Sequence, residues 1–171
     1  HNPDELARAS GVWIAAAGSA MLPTGVYNVC DTERWLWFAV ENGLVQLEND
    51  EVSYTLRGGD CCMLPPATRG VTVTASQEAR VLWMTVDGVL SSAFLQRMGA
   101  LPHRVMKQGA LPSQLNLGRH IVQAIVRIAA AQDASSAQLQ QLLWAMLASH
   151  SGQPVAMDAV LSHEIARVVD A

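Results

Sequence analysis

The chain has 171 residues, 50% of them hydrophobic, and a formal net charge of −4. A chain of this length supports a single domain with a substantial core, burying about 70% of its extended-chain surface. Its 11 Lys and Arg are scattered, which argues against this segment gripping nucleic acid, because neutralising phosphates takes clustered basic side chains.

Taken in order, residues 1–11 form an N-terminal arm, followed by Trp13 and the run Ala15-Ala16-Ala17-Gly18, whose small side chains suit a strand lying close to a ligand. WLWFAV (residues 35–40), LVQLE (44–48) and VSYTL (52–56) read as short strands separated by Glu41-Asn42-Gly43 and Asn49-Asp50-Glu51, both rich in turn formers. Residues 56–66, LRGGDCCMLPP, place a Gly-Gly-Asp turn before a short apolar strand that stops at two prolines. VTVT (71–74) and RVLWMTV (80–86) continue the pattern up to Asp87-Gly88. Closely spaced short strands with turns between them predict an antiparallel sandwich or small barrel over residues 12–88.

The period then changes. Leu117, Ile121, Val122, Ile125, Ile128 and Ala129 mark one stripe of a helix ending near Ala131. Ser135 or Ser136 caps a second helix, whose stripe is Leu139, Leu142, Leu143, Met146 and Leu147. The two make an αα-hairpin within residues 89–150, and the fold class is therefore α+β. After Gly152-Gln153-Pro154, Asp158 caps a last amphipathic segment carrying Val160, Leu161, Ile165, Val168 and Val169.

Three cysteines, two of them adjacent at 61 and 62, argue against a disulfide framework, since the count is odd and neighbouring strand residues point to opposite faces. They read as small buried thiols of a reducing compartment. No run reaches the roughly 18 apolar residues of a membrane helix, and the expected location is cytoplasmic. Four of the five tryptophans lie in the strand half. Alternation puts Trp35, Trp37, Ala39 and Glu41 on one face of their strand, and groups Val81, Trp83, Thr85 and Asp87 on theirs. Aromatic and apolar surfaces with a few polar groups suit a small-molecule pocket. Trp83, Trp37, Trp35, Trp13, Tyr27, Val81, Glu41 and Arg69 are the candidate ligand-binding residues.

The succession of strand, turn, strand, Gly59-Asp60, apolar strand, Pro65-Pro66 and strand, followed by Val81 to Gly88 and by helices, resembles the cupin-type N-terminal domain of AraC-family transcription regulators. The resemblance covers roughly residues 12–150. It implies a cupin-like antiparallel β-barrel, or double-stranded β-helix, followed by a helical hairpin, and an effector bound in the barrel. It implies that Trp83 stacks on that effector, a sugar or other small organic molecule, and that the N-terminal arm folds over it. It also implies homodimerisation through the second helix, with Leu139, Leu142, Leu143, Met146 and Leu147 at the interface. Residues 151–171 resemble a linker and the first helix of a helix-turn-helix DNA-binding domain, so DNA contact is expected outside this chain.

The alternatives are a stand-alone cupin enzyme, such as an isomerase or dioxygenase, and a ligand-free dimerisation module. Enzymatic cupins usually hold a metal with two or three His and a Glu, whereas residues 2–102 contain no His. After Pro65-Pro66, Arg69 stands near where a ligand would fall, and its guanidinium stays protonated. No cofactor, no metal and no enzyme activity are expected.

Overall fold

A computed structural model describes residues 5–28, 33–49, 53–66, 70–97, 105–106, 112–130 and 136–151. A short helix, α1 (Glu5–Ser10), leads into eight strands: β1 (Trp13–Leu22), β2 (Gly25–Asn28), β3 (Trp35–Asn42), β4 (Leu44–Glu48), β5 (Ser53–Arg57), β6 (Cys61–Leu64), β7 (Thr72–Ala75) and β8 (Ala79–Asp87). Then come α2 (Ser91–Arg97), a two-residue strand β9 (Val105–Met106), α3 (Pro112–Ala129) and α4 (Ser136–Ser151). The six strands expected between residues 35 and 86 all form, within two residues of the expected limits. Helix α3 starts earlier than its apolar stripe indicates, because Pro112 suits a first helical position where its missing N–H costs nothing.

Among the described residues the strands form two antiparallel sheets and do not close into a barrel. The larger sheet has the order β1-β8-β3-β6-β9 and the smaller β2-β7-β4-β5. Their facing surfaces enclose one apolar layer, built from Leu36, Phe38 and Val40 on the large sheet and Val45, Leu47 and Val73 on the small one, among others. A second apolar layer lies on the outer face of the large sheet, where Trp35, Trp37, Met84 and Val86 pack with Ile121, Leu143 and other side chains of α3 and α4. Strand β3 is thus covered on both faces, and all six residues of WLWFAV are buried.

The Gly-Asp turn works as its sequence suggests. Gly59 has φ +95°, a conformation open to glycine. Asp60, 2% exposed, accepts a hydrogen bond from the Arg57 N–H at 2.9 Å. The Gly59 N–H donates to the Val40 carbonyl at 2.8 Å, and the Val40 N–H donates to the Asp60 carbonyl at 3.0 Å, so the turn is fixed to β3.

The N-terminal segment sits on the helical side. Gln140 of α4, itself buried, donates to Ser10 Oγ at 3.0 Å and to the Val12 carbonyl at 2.7 Å. Within the expected arm the place of residues 5–10 is corrected: α1 packs on α4, whereas β1, with the run expected to approach a ligand, borders the inter-sheet layer. The expectation for the dimer interface is corrected too. Leu139, Leu143 and Met146 are 3%, 0% and 1% exposed and belong to the chain's own core. Leu142 is half-buried against the same cluster, and the Leu147 side chain lies outside the described residues. An apolar stripe records that a face is covered, not by what. The final segment, residues 152–171, also lies outside the described residues.

Candidate ligand site between the sheets

Register brings the inner faces of the two sheets into a pair of facing rows. On the large sheet, Trp83 lies opposite Gly18 on one side and Phe38 on the other, and Phe38 lies opposite Cys62. On the small sheet, Val73 lies opposite both Tyr27 and Leu47, and Leu47 opposite Tyr54. The side chains of Trp83, Phe38, Tyr27 and Tyr54 all pack in the inter-sheet layer.

The layer is buried at one end and partly exposed at the other. Along β8, Ala79 and Val81 are 1% and 2% exposed, whereas Trp83, Thr85 and Asp87 are half-buried. Across from them on β1, Ala16 and Gly18 are half-buried as well. A bulge between Ile14 and Ala16 resets the β1–β8 register, so that Ala16, Gly18 and Ala20 face inward next to Thr85, Trp83 and Val81. These small residues give the Trp83 indole its room. A Cβ at position 18 would stand 2.8 Å from Trp83 Cζ2 and 2.9 Å from Cε2, closer than atoms pack, so the ring lies directly across the glycine backbone. One indole therefore shields an edge-strand glycine and presents aromatic surface at the partly exposed end.

The polar groups at this end are few. Arg34 Nε donates to Asp87 Oδ2 at 2.6 Å, and the Gly88 N–H donates to Asp87 Oδ1 at 2.7 Å. Burial pushes the Asp87 carboxyl up, but these hydrogen bonds and the Arg34 charge outweigh it and hold it below the usual carboxylate range. Tyr27 donates its hydroxyl proton to the Pro23 carbonyl at 2.7 Å, which fixes the ring. Burial raises the Tyr54 phenol, with the Cys62 thiol across the layer adding to it.

Of the residues singled out from sequence, Trp83, Val81 and Tyr27 share this layer. Trp13 is half-buried at the start of β1, opposite Asp87. Trp35 and Trp37 do not join them. Both are 1% exposed and lie on the other face of the sheet, beneath the helices. The reason is parity: Trp83 lies opposite Phe38, so its face is that of Leu36, Phe38 and Val40, not that of the two indoles. Trp35 Nε1 donates to Ser92 Oγ at 3.1 Å, while Trp37 packs its ring against Gly118 of α3, with its N–H beside the Cys61 thiol. Glu41 lies on that outer side too, in ion pairs with Arg80 at 3.0 Å and with Arg119. Arg69 lies outside the described residues. Sequence reasoning placed Gly18 in a low-bulk run near a ligand without pairing it with Trp83, and it missed Arg80 and Arg119. A glycine inside a strand and an arginine inside the apolar run RVLWMTV were the available signals.

The adjacent cysteines divide between the layers, Cys61 outward and Cys62 inward, and neither is in a disulfide. Burial pushes the Cys61 thiol up to about 12, against the pull of the Trp37 N–H, and raises Cys62 as well. Neither is a thiolate nucleophile near neutral pH. Among the described residues, no group of three or more His, Cys, Asp or Glu is placed to hold a metal ion, and no helix is long and apolar enough to cross a membrane.

Two facing antiparallel sheets with helices packed on the outside of the larger one define a cupin-like fold. Among solved structures, the chain is similar to ToxT from Vibrio cholerae, with 9% identity, 76% of this chain and 53% of that chain covered, and a TM-score of 0.50. A second ToxT structure matches at 10% identity over 88% of this chain and 60% of that one, with a TM-score of 0.49. The ethanolamine utilization protein EutQ from Salmonella typhimurium matches at 14% identity over 45% and 58%, with a TM-score of 0.38. The chain thus spans between 53% and 58% of the length of EutQ and the first of these ToxT chains. No family model matches the chain, and no curated protein matches it.

Proposed function

We propose that this chain is the effector-sensing domain of a transcription regulator of the AraC family, and that a small organic molecule enters the inter-sheet layer at its Trp83 end. The observation that carries the reading is the likeness to ToxT, a regulator of that family, over 76% of this chain. That share is larger than the strand-bearing part, which ends at Met106 of 171 residues, so the combination of sheets and helices supports the reading, not the sheets alone.

On this reading the domain binds and does not catalyse, works in the cytoplasm as a homodimer, and leaves DNA contact to a helix-turn-helix segment elsewhere in the protein. Trp83 stacks on the effector, with Thr85 and the Arg34–Asp87 pair within reach to orient it. Effector binding shifts the population of arrangements of strands and helices, and a coupling of about 1–3 kcal/mol changes DNA binding several-fold or more. A ligand-free module is the second reading, favoured by the buried end of the layer, where Val40, Val45 and Leu56 are 0% exposed.

Native mass spectrometry of the purified protein, with a thermal-shift screen of small organic molecules, tests both. A ligand at 100 times its Kd stabilises the fold by about 2.7 kcal/mol. The sensor reading expects such a shift to be lost in Trp83→Ala and kept in Trp144→Ala, since Trp144 packs with the helical cluster. A shift equal in both variants, or none across the screen, overturns it.

A further inference from the structure

On the face of the large sheet opposite Trp83, a cleft of about 590 Å3 opens between the β1–β8 edge and α3. That volume is in the range of small-molecule sites. Its apolar side is Leu82, Val122 and Met21, and Met21 is 52% exposed, a large apolar side chain left in water at the lip. Its polar side is the trio of Glu41, Arg80 and Arg119. A bulge in β3 sets both Glu41 and Asn42 against Arg80, which aims the Glu41 carboxylate into the cleft. That side chain is 9% exposed, while those of Arg80 and Arg119 are 59% and 44% exposed.

One carboxylate thus meets two guanidiniums, an excess of one positive charge within the trio that Glu78 at the rim balances across the whole lining. Both arginines engage Glu41 through Nε. Arg119 Nη1 donates further to Asn116 Oδ1 at 2.9 Å, and Arg80 has no further partner among the described residues. Glu78 at the rim is exposed, as is Arg80, so solvent screens both alike. A guanidinium's planar fork recognises oxyanions with two parallel hydrogen bonds.

We propose that this cleft binds a small organic monoanion, a carboxylate on an apolar body, with the carboxylate on Arg80 and Arg119 and the body on Met21, Leu82 and Val122. A monoanion sets one negative charge against the two guanidinium forks. A phosphate monoester brings nearly two negative charges beside Glu41 and Glu78 and fits less well. The site is separate from the Trp83 end and does not depend on the regulator reading. Because Arg80 is on β8 and Arg119 on α3, the ligand bridges sheet and helix.

The test is a titration of the full chain with phenylacetate, the neutral phenylacetamide, and phenyl phosphate, followed by NMR of the Met21 and Val122 methyl groups and the Trp83 indole N–H. Phenylacetate is expected to move the two methyl signals and leave the indole in place. It is expected to bind about tenfold more tightly than either analogue, and Arg80→Gln to weaken it by about the same factor, as loss of charge-assisted hydrogen bonds should. Met21→Ser, at an exposed position that does not endanger folding, is expected to weaken it about threefold. Equal binding of amide and acid, tighter binding of phenyl phosphate, or indifference to Arg80→Gln overturns the proposal. So does movement of the indole alone, or no movement with any probe at millimolar concentration.

Discussion

Helix α3 carries a glycine in its interior, and Gly118→Ala sets two effects against each other. By helix propensity the change stabilises by about 1 kcal/mol. The structure argues the reverse. A Cβ at 118 would lie 2.5 Å from Trp37 Cη2 and 2.9 Å from Cζ3, where carbon atoms normally approach to about 3.5–4.0 Å. Trp37 is 1% exposed and held between strands and helices, so the helix has to retreat by roughly 1 Å. Overpacking of this kind costs about 1–3 kcal/mol. Net of the propensity gain, we expect a loss of up to about 2 kcal/mol, or up to roughly 8 °C in Tm for a chain of this size, read by thermal melts and by the urea midpoint. The companion change Trp37→Leu makes room for the added methyl group. The double variant is therefore expected to be more stable than the sum of the single changes by about 1 kcal/mol or more. A Gly118→Ala protein that melts higher than wild type, or a double variant that is simply additive, refutes the close-approach argument.

Alkaline pH should weaken the fold through its cysteines. The folded state raises Cys61 from 9.0 to about 12 and raises Cys62 as well, so above pH 9 the unfolded chain gives up protons that the folded chain keeps. Stability is full below that pH and falls as pH rises towards 12, by up to about 1.4 kcal/mol per unit for each thiol. Urea titrations between pH 8 and 10.5 should show this slope, and Cys61→Ala should reduce it; a flat profile in the wild type contradicts the burial argument. Gln140→Leu removes both hydrogen bonds that hold Ser10 and Val12 to α4, and limited proteolysis should then cut between residues 5 and 12 several-fold faster while the strands stay protected. Unchanged cleavage would mean that apolar contacts at Ala7 and Val12 hold the segment alone.

Most of the strand layout was legible because each strand ends at a turn former whose backbone demand is local: Gly43 and Gly88 have positive φ, as does Gly59. The grouping of Trp35, Trp37 and Glu41 was legible from alternation alone. Which face of the sheet looks inward was not. In WLWFAV both faces are apolar, and a period of two carries no information about which side the second sheet covers and which side the helices cover. The same gap misassigned the α4 stripe: its spacing marks Leu139, Leu143 and Met146 as covered, and the cover is the chain's own sheet and helices. Arg119 gave no signal at all, since its meeting with Glu41 links α3 to β3 across 78 positions of sequence.

Strand β3, buried on both faces, also limits how such a chain diverges. An exposed position drifts freely, but each residue from Trp35 to Val40 fills a volume against a particular neighbour in one layer or the other. Substitutions there survive as matched exchanges, a smaller residue at 37 permitting a larger one at 118, or a smaller one at 83 permitting a side chain at 18. Chains that share such a strand then resemble one another in paired volumes more than in residue identities, which accords with a shared fold at 9% identity.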